Sequence, residues 1–302
     1  MAFNSNNINA LSLFHFTRKL DTLKQIVENG LRFSYAFEKY SAQIIANYEY
    51  PYSGDVVNKV YEDTGVAIPM VSFCDIPITR ANSHMDKYGE YMIGLNKDAM
   101  MYLYEPILNP VLYIHSNNLI QAVDELGIVH AETTRNLFNA IFENPQNVNL
   151  ETFEENNNLR KDLKPLIDRR FYCSFILGLV KPIYDQQTKV CYYDEREWRA
   201  FYPNRMQSAE WIWGIKKEYF DSNRLVWNEE LSRNKENYIT IPKEFLGSII
   251  THIVTHTEQE IPQLIEWIIN SEMLFGCEEI SMDERLILVS RVTSFERISL
   301  DY

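Results

Sequence analysis

Positive charge is in short supply in this chain. Lys and Arg number 29 against 42 Asp and Glu, a formal net charge of -13 over 302 residues. Such an imbalance repels nucleic acid and anionic membrane at long range and leaves at most a local basic groove for either. The four cysteines, Cys74, Cys173, Cys191 and Cys277, are far apart and form no CxxC pair, which argues against a zinc site and a disulfide framework. Reduced, cytoplasmic thiols are the default. No basic segment leads into an apolar stretch at the N-terminus, and no window approaches the roughly 18 apolar residues of a membrane span. These absences read as a bacterial-type cytosolic protein. The chain also lacks a GxSxG elbow, a Gly-rich loop ending in GK[ST] and an HExxH helix. His252 and His256 stand four apart, but "IITHIVTH" is so β-branched that a strand is expected, with no carboxylate between them and no metal site.

Aromatic residues, by contrast, are plentiful: 19 Tyr, 16 Phe and 5 Trp supply flat faces for a core or for a planar ligand. In "LSLFHFT" (11–17), Leu13, His15 and Thr17 alternate with Phe14 and Phe16, the pattern of a strand. Leu20, Leu23, Ile26 and Val27 then recur at helical spacing, and Gly30 is a stop. Residues 34–68 read as a long excursion containing the helix-compatible "YSAQIIANYEY". Strands are expected at 68–76, 91–97 and 110–115, with a short helix or loop over 78–90. From about 117 to 170 helix formers and Asn take over, which predicts a mainly helical insertion. "VKPIYD" and "KVCYYDEREWRAFYP" flank "QQTK" as a hairpin or neighbouring strands, and a polar stretch follows them. After it come the strand "FLGSIITHIVTH", the amphipathic helix "EIPQLIEWIINSEML" and a strand-rich tail, "RLILVSRVTSFERI". The mixture implies a single α+β domain over 1–302.

The stretch "YYDEREWRAF" carries the most chemistry. On a strand, Tyr193, Glu195, Glu197 and Arg199 share one face, and the two glutamate Cα atoms lie roughly 6.6 Å apart, a spacing that suits two carboxylates acting on one substrate. Close carboxylates in a partly dry site also separate their pKa values. Two plain alternatives fit the same residues: a solvated strand face, or a helical Glu195–Arg199 ion pair. His15 and Thr17 can together hold hydroxyls or an amide of a nucleotide, since each offers a donor and an acceptor. Ser72 and Asp75 end the strand "VSFCDIP", where Cys74 need not be reactive.

Taken in order, "LFHFT", "ENGLRFSY", "IPMVSFCDIPI", "SHMDKYGEYMIGLNKD", "NPVLYI", "KPIYD" and "YYDEREWRAF" resemble the AbiGi family of abortive phage resistance proteins. That family is nominally labelled antitoxin and belongs to a toxin–antitoxin arrangement. The likeness runs over nearly the whole chain and is weakest across 117–170 and at the C-terminal end. A wider likeness follows the order of elements in ADP-ribosyltransferases: an early His-x-Thr strand, a middle strand ending in Ser or Tyr, and a late Glu-x-Glu strand. It implies a split pair of β-sheets with NAD in the cleft and no metal. Under that resemblance His15, with Phe16 beside it, contacts the nicotinamide ribose, Thr17 and Ser72 support it, and Tyr88 or Tyr91 stacks on the ring. Arg18 meets the pyrophosphate, with Arg80 or Lys97 in reserve. Glu197 is then the catalytic carboxylate, and Glu195 helps choose the acceptor, a protein or a nucleic acid, unless NAD is simply hydrolysed. A second implication stays open beside it: a binding protein that grips a cognate toxin or a phage component through its acidic surface.

Overall fold

The computed structural model describes residues 10–39, 44–49, 56–61, 64–105, 107–115, scattered positions from 118 to 133, 157–185, 189–201 and 213–301. Its centre is a nine-stranded sheet. The strands are β1 (Ser12–Thr17), β2 (Ser34–Lys39), β3 (Thr64–Cys74), β4 (Tyr91–Asn96), β5 (Leu108–Pro110), β6 (Glu197–Phe201), β7 (Trp213–Lys216), β8 (Ile250–Thr255) and β9 (Val292–Ser294). The order is β9-β8-β4-β1-β3-β6-β5, with β2 and β7 also paired to β3. All the pairings are antiparallel except β8 with β9. The chain is therefore α+β, as its mixed periodicities imply.

The length of β3 decides where a cleft can form. Along one edge, β2 pairs with Gly65 through Met70, and β1 meets β3 only where Phe14 opposes Cys74. Between those contacts β1 and β2 part, and among the described residues no strand lies opposite Ser72 on that side. Along the other edge β6 runs unbroken from Met70 to Cys74. Because paired residues share a face, Phe14, Ser72, Cys74, Glu197 and Arg199 lie on one side of the sheet, and Leu13, His15, Phe73 and Trp198 lie on the other.

Both faces are covered. Helix α1 (Leu20–Asn29) ends at Gly30, whose φ of 92° is open to glycine, and buries Leu23, Ile26 and Val27. These pack with Leu13, Phe73 and Ile93 of the sheet and with Leu264 and Ile268 of a helix spanning Ile261–Asn270. The opposite face receives a helix spanning Asn157–Leu179, whose Leu177 and Leu179 pack on Ile68, Met70 and Phe201. That helix comes so close that a Cβ on Gly178 would stand 2.6 Å from Ile68 Cδ1 and 2.9 Å from the Phe201 ring.

Several expectations need correction. Within "YSAQIIANYEY", Ile44–Glu49 is a strand paired with Val56–Tyr61, since cross-strand pairing outweighs the helix-compatible spacing. The tail is mostly helical: Ser281 and Glu284 form a capping box that starts a helix at Met282–Val289, and only Val292–Ser294 is a strand before the helix Phe295–Asp301. The polar stretch after β7 forms a helix at Lys217–Ser232. Every described position between 118 and 133 is helical, 134–156 lies outside the described residues, and the following helix continues past 170 to Leu179. The hairpin is present as Tyr184–Asp185 against Val190–Cys191. The expected long strand through "YYDEREWRAF" is not: Tyr192–Glu195 is a 3-10 turn, Arg196 sits at φ 43°, and the strand begins only at Glu197.

Candidate active site

Glu195 and Glu197 thus leave different elements, yet their carboxylates converge. The Arg196 carbonyl accepts from the Asp75 amide at 2.9 Å, which holds the left-handed corner against the end of β3. Beyond the corner, Glu197 and Arg199 share a strand face. Arg199 Nε donates to Glu197 Oε1 at 2.8 Å and Nη2 to Oε2 at 3.0 Å, a bidentate grip. The same guanidinium pairs with Glu38 of β2 at 2.9 Å, donates to the Gly178 carbonyl, and is only 1 % exposed. Lys181 comes from Val180–Pro182, which lies parallel to Leu112–Ile114 with Lys181 opposite Tyr113. Its Nζ donates to Glu197 Oε2 at 2.7 Å and to Glu195 Oε2 at 3.1 Å. On Glu195 Oε1 the Tyr88 hydroxyl donates at 2.8 Å, and Lys87 Nζ donates beside it. The Glu197 amide donates to the Tyr113 hydroxyl at 2.8 Å.

Three carboxylates (Glu38, Glu195, Glu197) therefore meet three cations (Lys87, Lys181, Arg199) in a balanced cluster. Burial pushes the Glu197 carboxyl up, but Arg199 and then Lys181 outweigh it and carry it down to about 2. Burial likewise opposes ionisation of Glu195, and Lys181 with the Lys87 and Tyr88 bonds brings it below the usual carboxylate range. Lys181 is pulled down by burial and driven above its ordinary value by Glu197 and Glu38. The Tyr88 hydroxyl and the Cys74 thiol are both pushed well up, by burial first and then by the neighbouring glutamates. Burial and the two glutamates thus favour the protonated form of Cys74.

A cleft of about 870 Å³ opens at the split between β1 and β2. His15, Phe16, Ser72, Tyr88, Glu195 and Glu197 all line it, so six of the sequence-derived site residues meet there. They do not meet on one face. His15 lies on the α1 side and Glu197 on the other, and the cleft passes through the sheet between them. His15 Nδ1 lies 2.9 Å from the Ser72 carbonyl. A carbonyl only accepts, so Nδ1 carries the proton and Nε2 remains an acceptor. Burial lowers the pKa of His15, partly countered by that carbonyl, and the ring is neutral.

Thr17, Arg18 and Tyr91 are not among the cleft's lining residues. Thr17 is buried at the end of β1, the Tyr91 hydroxyl donates to Glu260 at 2.7 Å, and Arg18 Nη2 donates to the Lys87 carbonyl at 3.3 Å. Of the reserve cations, Lys97 pairs with Asp75 at 2.9 Å, and Arg80 stands on an exposed 3-10 turn. Lys181, Lys87, Glu38 and Tyr113 escaped the sequence reading, because their role depends on pairings across distant segments. Only Arg199 was visible, as a same-face neighbour of Glu197.

The class is thus an α+β protein with one nine-stranded mixed sheet, not a split pair of sheets, and a buried carboxylate–cation cluster where β1 and β2 part along β3. Residues 46–240, more than half of the chain, match the family described as "Putative abortive phage resistance protein AbiGi, antitoxin", and the chain belongs to that family. No curated protein and no solved structure matches it. Among the described residues no helix is long and apolar enough to cross a membrane.

Proposed function

We propose that the protein serves anti-phage defence as an ADP-ribosyltransferase-like enzyme, binding NAD in the cleft and passing its ADP-ribose to a protein, a nucleic acid or water. One observation carries the reading: Glu197 is a fixed, ionised carboxylate that lines the same cleft as His15. A carboxylate offers about four lone-pair sites. Arg199 takes two on Glu197 and Lys181 a third, which leaves at least one for the 2′-hydroxyl of a ribose whether or not Lys181 stays in place. As the nicotinamide–ribose bond breaks, its electron pair leaves with neutral nicotinamide and positive charge develops on the sugar. A carboxylate already oriented stabilises that charge more in the transition state than in the ground state. His15 Nε2 accepts from a ribose hydroxyl, Tyr88 and Phe16 flank the ring, and Glu195 lies where an acceptor's proton is released.

The test is nicotinamide release and labelled ADP-ribose transfer by the parent and by Glu197→Gln. Loss of activity by at least a hundredfold in the variant supports the reading, and equal rates overturn it.

A second reading, a catalytically silent antitoxin or phage-sensing binder, is favoured by the family's description and by the net charge of -13. Expression in cells separates the two. An enzyme of this kind arrests growth when produced alone, and a binder is harmless and rescues cells from its partner toxin whether or not Glu197 is changed to Gln.

A further inference from the structure

We infer that Lys181 is an internal plug: its ammonium sits between Glu195 and Glu197 where the cationic group of a ligand must go, so the cleft is held in a self-occupied form. The surroundings of Lys181 Nζ are those of an organic-cation site. Two carboxylate oxygens lie at 2.7 and 3.1 Å, and the Tyr192 ring centroid lies at 5.2 Å. Tyr88 borders the same place, with its hydroxyl on Glu195 and Lys87 Nζ 5.0 Å from its ring centroid. Carboxylates backed by aromatic faces bind flat or compact organic cations. The side chain of Lys181 is 17 % exposed and lines the cleft, so it is within reach of an entering molecule.

Lys181 can also leave without stripping either glutamate of its other donors. Without it, Glu197 keeps both bonds from Arg199, and Glu195 keeps those from Lys87 and Tyr88. What changes is the charge. Among the described residues of the cluster, Glu38, Glu195 and Glu197 then face Arg199 and Lys87, and the cluster carries a net negative charge that draws a cation in. With Lys181 in place that attraction is cancelled, and an entering cation meets a like charge. The lysine is mounted for movement: it sits on a flexible four-carbon stem, in a strand of three residues paired only to Leu112–Ile114 among the described residues.

The inference deepens the NAD reading and takes its ligand class, a pyridinium, from it. It is tested with 1-methylnicotinamide, the cationic ring alone, by calorimetric titration of the full chain. Lys181→Met, which keeps the stem and removes the charge, is expected to bind about tenfold tighter than the parent, and Lys181→Arg as weakly as the parent. Equal binding by the parent and Lys181→Met, or tightening in Lys181→Arg, overturns the plug. A second arm does not depend on any variant folding. Acylation of Lys181 in the parent, read by mass spectrometry, is expected to rise severalfold as 1-methylnicotinamide is added, and a flat response overturns the inference. If both arms behave as expected while NAD is neither bound nor consumed, the plug stands and the NAD reading falls.

Discussion

His15 reaches across to the carbonyl of Ser72, Nδ1 to oxygen 2.9 Å, in the stretch Val71–Phe73 where no described strand pairs with that edge of β3. A buried carbonyl left without a donor costs free energy, so the histidine repairs the split that makes the cleft. The same bond fixes the tautomer that leaves Nε2 free to accept.

One consequence concerns pH. His15, His84 and His252 all have pKa values lowered by burial. A histidine depressed in the folded state takes up its proton more readily when unfolded, so its contribution to stability is present above the unfolded value near 6.5 and is lost as pH falls below it. Urea unfolding midpoints are expected to drop between pH 7.5 and 5.5, and His15→Asn, which keeps a donor for Ser72, should flatten that drop. An unchanged slope in the variant would exclude His15 as a contributor.

Glu197 acts in a lower window. Its carboxyl stands at about 2, below the usual 4.5, so its stabilisation is complete above the upper value and is lost as pH falls through the lower one. Acid unfolding of the parent should steepen between those limits. In Glu197→Gln, which has no proton to take up there, the curve should be shallower when followed by circular dichroism.

Removing the cation at the heart of the cluster is the harsher change. Arg199→Met leaves Glu38 and Glu197 short of a buried partner and is expected to cost about 3–5 kcal/mol of unfolding free energy, measured by urea titration. Lys181→Met should cost much less, since both its glutamates keep other donors.

Gly178 tests how the cluster is mounted. A methyl group there would collide with Ile68 and Phe201, and the helix Asn157–Leu179 would have to lift from the sheet. Gly178→Ala is expected to lose about 1–3 kcal/mol of stability. It should also withdraw the carbonyl that Arg199 donates to, which amide exchange in β6 would report as faster opening.

What could be read from the sequence was local, and what could not was tertiary. The alternation of β1, the periodicity of α1 and the stop at Gly30 are written in adjacent residues, and they put His15 on a strand that leads into a helix. The alternation in "YYDEREWRAF" pointed to one long strand. The chain instead turns at Arg196, because the Asp75 amide holds the Arg196 carbonyl and because Lys87, Tyr88 and Lys181 draw Glu195 aside. Those donors lie 108, 107 and 14 residues away in the chain, beyond the reach of any local pattern. Lys181 earns its position from parallel pairing with Tyr113, which periodicity does not reveal. The apolar run of the tail likewise reads as strand until the capping box at Ser281 and Glu284 is recognised.

A crystal structure of the protein soaked with NAD tests the central claim most directly. The nicotinamide ribose is expected in the cleft between His15 and Glu197, its 2′-hydroxyl about 3 Å from the Glu197 carboxylate. NAD bound elsewhere, or a cleft that stays empty at saturating NAD in both the parent and Lys181→Met, would contradict it.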